Sequence, residues 1–141
     1  MWDNMFKSMD LLQKGLSASW TRNAVIRNNI ANVETPGFKS SDVEFETLMA
    51  RALLEESSGF KGTKTHSGHR DIGSGYSQYD LSSVTAQIYQ RKDTAMRFDE
   101  NNVDIEAENV KLAQNSIYYN TLIEKLNSEI RRLRMAITEG R

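Results

Sequence analysis

The chain has 141 residues, 38% of them apolar, with 18 lysines and arginines against 19 aspartates and glutamates and a mean hydropathy of −0.60, so it has room for one domain of ordinary size and must concentrate its burial in particular segments. The near-balance of charge gives no long-range field to draw in nucleic acid or to coat an anionic membrane. The absence of cysteine excludes disulfides, thiolate zinc sites and cysteine nucleophiles, and leaves the redox compartment open.

The first ten residues, MWDNMFKSMD, carry acidic residues where a secretory signal has a basic segment followed by an apolar one. No run approaches the roughly 18 apolar residues that span a bilayer. Taken alone this reads as cytosolic, with no direct membrane insertion. From residue 5 to 33, Met5, Met9, Leu12, Leu16, Ser19, Asn23, Ile26, Ile30 and Val33 recur at alternating steps of four and three. That is the heptad seam of a helix that packs along another helix, and it predicts an N-terminal helix over 1–33 with two polar residues, Ser19 and Asn23, in the middle of its seam.

The helix is expected to stop in NNIANVETPGFK. Asparagine is a poor interior helix residue that tolerates the left-handed conformation closing a helix. Pro36, the only proline, disfavours helix at Thr35, and Gly37 supplies the positive φ needed at the third position of a type II turn starting at Thr35. Residues 34–56 then read as this turn, an extended FKSSDVEF and a short helix near 44–56, where Phe45, Leu48, Met49, Ala52 and Leu53 recur at helical spacing.

Residues 57–103 form the middle segment. Five of the eight glycines fall in SSGFKGTKTHSGHRDIGSG, residues 57–75, a composition that buries too little apolar area to offset ordering and is expected to be a mobile loop. Alternation in VTAQIYQ and AMRF predicts brief strands there. The C-terminal segment, 104–138, carries a second seam through Ile105, Asn109, Leu112, Ser116, Tyr119, Ile123, Leu126, Ile130, Leu133 and Ile137. Asp104 is placed as its N-cap. Glu106 and Glu108 in the first turn, with Arg131, Arg132 and Arg134 in the last, complement the helix dipole.

The fold class expected is mainly α: long N- and C-terminal heptad helices in an antiparallel coiled-coil hairpin, with a short helix and a loop or minor β segment between them. Matching the seams end to end sets Met5 level with Ile137, Asn23 opposite Tyr119, Ile26 opposite Ser116 and Val33 opposite Asn109. The residues expected to carry packing and assembly are Met9, Leu12, Leu16, Asn23, Ile26, Ile30, Val33, Leu112, Tyr119, Ile123, Leu126, Ile130, Leu133 and Ile137.

Catalytic, metal and cofactor chemistry finds no anchor. His66 and His69 in HSGH are flanked by glycine, with no cysteine and no helix beneath them, and read as a solvated loop. Glu106 and Glu108 stand two apart on a helix and point away from each other. Glu55 and Glu56 carry no further signature, and neither a Gly-x-Ser-x-Gly elbow nor a phosphate-binding glycine pattern occurs. The reading is of a non-enzyme with no cofactor, no small-molecule substrate and no nucleic-acid partner, since aromatic residues interleaved with a basic groove are missing too.

Local chemistry accounts for the stop and the turn but does not demand NNIAN in particular. Asn29, Ile30, Ala31, Asn32, Thr35, Pro36, Gly37 and Phe38 match the Asn-Ile-Ala-Asn-x-x-Thr-Pro-Gly-Phe/Tyr motif that follows the first helix of the bacterial flagellar rod and hook axial proteins, and the chain resembles that family. Asn102, Val103 and Asp104 match the Asn-x-Val-Asp that opens its C-terminal helix. The Ala-Gln-Arg-Ala-Tyr type sequence of hook and distal rod members is missing, and the short length points to the proximal rod. The resemblance covers about residues 1–55 and 99–137 and fails across the glycine-rich middle.

What the resemblance implies is a structural subunit of the proximal rod, polymerising through its terminal helices into the drive shaft and export conduit. Such a subunit is exported by the flagellar type III apparatus without a cleaved signal peptide and is built into the basal body on the periplasmic side, which overrides the cytosolic reading. Its partners would be itself and other flagellar rod proteins, the rod-base adaptor protein and the flagellar export gate. The alternative kept open is a coiled-coil adaptor or export chaperone that binds partner helices without polymerising.

Overall fold

A computed structural model of the protein describes residues 2–58, 66, 84–92 and 98–138, with side chains except those of 2–5 and 55–58. Five elements follow in chain order: α1 (Trp2–Ala31), β1 (Ser41–Glu44), α2 (Glu46–Ser58), β2 (Gln87–Gln90) and α3 (Ile105–Thr138). The chain divides into two compact units, Met1–Val43 with Ala86–Arg141, and Glu44–Thr85. The first is organised by α1 packed along α3. In the second, Phe45 just before α2 and Leu48, Met49 and Ala52 within it are buried, while Leu53 and Leu54 are exposed.

α1 ends at Ala31, two residues short of the expected Val33. The Asn32 amide donates to the Asn28 carbonyl (2.8 Å), and the Asn32 N–H is shared between the Asn28 and Asn29 carbonyls (3.2 and 3.1 Å). Val33 N–H then bonds Ile30 (3.3 Å), the tightening by which a helix end satisfies its orphan carbonyls. The expected type II turn is present: Phe38 N–H donates to Thr35 (3.3 Å) and Gly37 has φ 71°.

The extended segment after the turn contains β1, which pairs with β2 in a two-stranded sheet. Only the last four residues of VTAQIYQ are strand. Of AMRF only Phe98 is described, exposed in a turn. Ser57 and Ser58, expected to open the mobile loop, belong to α2. The rest of 57–75 lies outside the described residues except His66, which is exposed. α3 begins where expected, with the Asp104 carboxylate accepting from the backbone N–H groups of Glu106 (2.9 Å) and Ala107 (3.3 Å), the N-cap arrangement. It runs on to Thr138, so Arg131, Arg132 and Arg134 sit inside the helix rather than in its last turn.

The two helices run antiparallel, as expected, with the seam rotated and the register displaced. Gly15 faces Leu122, a Cβ built on it lying 3.3 Å from a Leu122 methyl. Ser19 bonds Asn115, and Asn29 bonds Glu108. Each partner lies earlier in α3 than end-to-end matching set it, by roughly one and a half to two turns. The buried faces pass through Gly15, Ser19, Ile26 and Asn29 on α1 and through Glu108, Asn115 and Glu129 on α3. The expected column Met9, Leu16, Asn23 and Ile30 is half-buried beside that line. On α3, Ile123 is half-buried, and Ile105, Ile130 and Ile137 are exposed at 44%, 47% and 69%. The physical reason is polar pairing, because the reciprocal bonds of Ser19 with Asn115 and the bond from Asn29 to Glu108 occupy the centre that an apolar template assigns to the neighbouring column.

Candidate assembly site

Where α1 ends and α3 begins, the two sequence motifs bind each other. Asn29, on the last turn of α1 and 1% exposed, accepts from Ser41 N–H through Oδ1 (3.0 Å) and donates through Nδ2 to the Ser41 carbonyl (2.8 Å). One side-chain amide thus satisfies both backbone groups of the first residue of β1, as a neighbouring strand would. Nδ2 also donates to Oε2 of Glu108 (3.0 Å), tying the same point to the first turns of α3.

Glu108 is 4% exposed, and burial of a carboxylate is tolerated only when it is paired. Its Oε1 accepts from Lys111 Nζ (2.6 Å). Lys111 in turn lies 3.7 Å from the carboxylate of Asp42, which receives Arg91 Nη2 at 2.7 Å. A line of alternating charge therefore joins α3, β1 and the end of β2 around the Asn29 amide.

Asn101 completes the other half. It is 0% exposed, and its Nδ2 donates to the carbonyls of Asn32 (3.1 Å), Val33 (3.0 Å) and Thr35 (2.9 Å). Its Oδ1 accepts from Val103 N–H (2.7 Å). The side chain closes the exposed backbone after α1 from across the fold. Asn102 bridges Ser40 N–H (2.6 Å) and the Arg91 carbonyl (3.0 Å), while Arg91 N–H bonds Ser40 (2.9 Å). The turn at Thr35–Phe38 is fastened to the one at 98–100: Gly37 N–H donates to Asp99 (2.8 Å), and Lys39 Nζ to the Glu100 carbonyl (2.7 Å). Glu100 holds φ 64°, a left-handed backbone rare in non-glycine residues.

Of the predicted motif residues, Asn29 is at the centre of this lock. Ile30, Asn32 and Phe38 are half-buried, and Ala31, Thr35, Pro36 and Gly37 are exposed. Among the predicted packing residues Ile26 is buried, and Met9, Leu12, Leu16, Asn23, Val33, Leu112, Tyr119, Leu126 and Leu133 are half-buried. The reading of packing residues missed Asn101, Ser40, Asp42, Arg91, Lys111 and the seam pair of Glu108 and Asn115. Asn102 and Asp104 were visible through the second motif, and a polar residue repeated at seam spacing was the signal available for Glu108 and Asn115.

Among the described residues no side-chain polar atom is buried without a partner. Among those same residues no group of three or more acidic or histidine side chains could hold a metal, and no helix is long and apolar enough to cross a membrane. The chemistry of the arrangement is fixation: neutral amides close backbone groups across the fold, with no unsatisfied group aimed at a ligand.

The family model for the flagella basal body rod protein matches residues 9–39, the stretch comprising most of α1 and the turn behind it. The flagellar basal body rod protein FlgB of Bacillus subtilis (strain 168) is 35% identical over 130 residues, 92% of each chain. The chain belongs to the FlgB family of flagellar basal body rod proteins. FlgB of Borrelia hermsii is 35% identical over 122 residues, 82% of this chain and 85% of its own, and FlgB of Proteus mirabilis (strain HI4320) is 27% identical over 143 residues, 99% and 100% of the two chains. Membership of the FlgB family makes this a structural rod protein of the flagellar basal body, and it puts the interlocked motifs at the junction of the two long helices of a rod subunit.

Proposed function

We propose that the chain builds the proximal rod by polymerising through the α1–α3 hairpin, and that the lock around Asn29 and Asn101 fixes the corner at which the chain leaves that hairpin. The observation carrying this is that the amides of Asn29 and Asn101, 1% and 0% exposed, are spent on backbone groups across the fold. Each such bond, once buried, is costly to leave unmade, so the corner has one geometry in every copy. A tube of identical subunits requires that.

In this reading the subunit passes through the flagellar type III apparatus without a cleaved signal, joins the rod on the periplasmic side, and contacts other rod proteins, the rod-base adaptor and the export gate. Gly37→Val tests the corner. A β-branched residue at φ 71° is strained whatever space surrounds it, and the expected outcome is chain made at normal level, no rod and no swimming on soft agar. Normal swimming by that strain removes the corner from the mechanism.

A further inference from the structure

Beside the seam, α1 and α3 leave an open groove of about 680 Å³ whose walls include Trp20, Asn23, Ala24, Arg27, Tyr119 and Asn120. Trp20 is 71% exposed. Tryptophan, tyrosine and arginine gathered in one concavity are the residue types that dominate binding energy at protein interfaces. On the far column of α3, Glu106, Val110, Ala113 and Ile117 follow at steps of four, three and four. Val110 and Ile117 are 56% and 68% exposed, so this is an apolar ridge ended by a carboxylate.

We propose that the groove receives the Val110–Ile117 ridge of α3 from a second copy of this chain, with Arg27 of one copy paired to Glu106 of the next. The inference rests on the rod reading for the relative direction of the helices. Subunits that all point one way along a tube set α1 of one copy antiparallel to α3 of its neighbour, because the two are antiparallel within each copy. In that direction Trp20 meets Ile117, Ala24 meets Ala113, and Arg27 comes level with Val110, one helical turn from Glu106, a distance its long side chain spans. Groove and ridge are different surfaces, so the contact is head-to-tail and propagates rather than closing as a dimer. Opposite charges at its end fix the register.

The chain has no native cysteine, which makes the test direct. A chain carrying both Ala24→Cys and Ala113→Cys is expressed as the sole copy, and isolated basal bodies are oxidised. A ladder of dimers, trimers and higher species is expected from the double variant, and none from either single-cysteine chain. Monomer alone, or dimers formed by a single-cysteine chain, overturns the contact. Basal bodies that contain the unmodified chain while the double variant gives no ladder overturn this inference and leave the rod reading standing; absence of the unmodified chain from them overturns the reading itself. In a second arm, Arg27→Glu is expected to lose swimming and the added Glu106→Arg to restore it, and a double reversal as defective as the single one counts against the pairing.

Discussion

Asn101 has two amide hydrogens for three carbonyl oxygens, so one is shared. Two of those oxygens have a second donor, Thr35 N–H on Asn32 and Phe38 N–H on Thr35, while the Val103 N–H donates to Asn101 Oδ1. Asn101→Ala therefore takes the side-chain acceptor from the Val103 N–H and a donor from each of the three carbonyls in a site of 0% exposure, a loss of about 2 kcal/mol. Asn101→Asp is nearly isosteric and keeps the acceptor for Val103, yet it turns a carboxylate toward three carbonyl oxygens beyond the negative end of α1. The expected order is Asp worse than Ala, read as lost amide-exchange protection at residues 32–38; an aspartate variant protected as well as the alanine one contradicts this account. The stop and the turn were legible in the sequence because Asn32, Thr35, Pro36 and Gly37 act on their own neighbours. The roles of Asn29 and Asn101 were not, because their partners stand 79 and 66 residues away and nothing local distinguishes those asparagines from the ones beside them.

At the scale of elements, the two long helices, their direction and the Asp104 cap followed from periodicity and capping rules. The rotation of the seam did not. Predicted seam positions lie one residue C-terminal to buried ones: Leu16 and Ile30 next to Gly15 and Asn29, and Asn109, Ser116 and Ile130 next to Glu108, Asn115 and Glu129. A hydrophobic template selects the first set because the true centre is filled by serine, glycine, asparagine and glutamate. Those polar residues hold register by pairing, as a polar residue at a core position does in a coiled coil, and Gly15 lets the helix backbones approach against Leu122. The observed contacts set Leu12 near Leu126. A chain with Leu12→Cys and Leu126→Cys should close a bridge within one subunit, seen as faster migration without reductant, and Leu12→Cys with Ile130→Cys should stay open; the reverse preference restores end-to-end matching of the seams.

Over the whole molecule, the consequence of a polar seam is that the hairpin has little burial of its own. α3 is 34 residues long, and the buried residues on it are Glu108, Asn115 and Glu129, none apolar. On α1 the buried apolar side chains among the described residues are Ala18 and Ile26. A fully buried large aliphatic side chain contributes on the order of 1.5 to 3 kcal/mol, while ordering each backbone residue costs about 1 to 2 kcal/mol. Two helices of this length cannot be held by so few such residues, and the exposed Trp20, Ile117, Ile130 and Ile137 are the area that neighbours would cover. Stability then depends on concentration, as it does for any fold completed by its own partners. Purified chain at micromolar concentration is expected to show weak helicity and a broad thermal transition by circular dichroism, with both strengthening as concentration rises. A sharp, concentration-independent melt of fully helical monomer would show that the hairpin needs no neighbours, and that the exposed apolar columns are not its unfinished core.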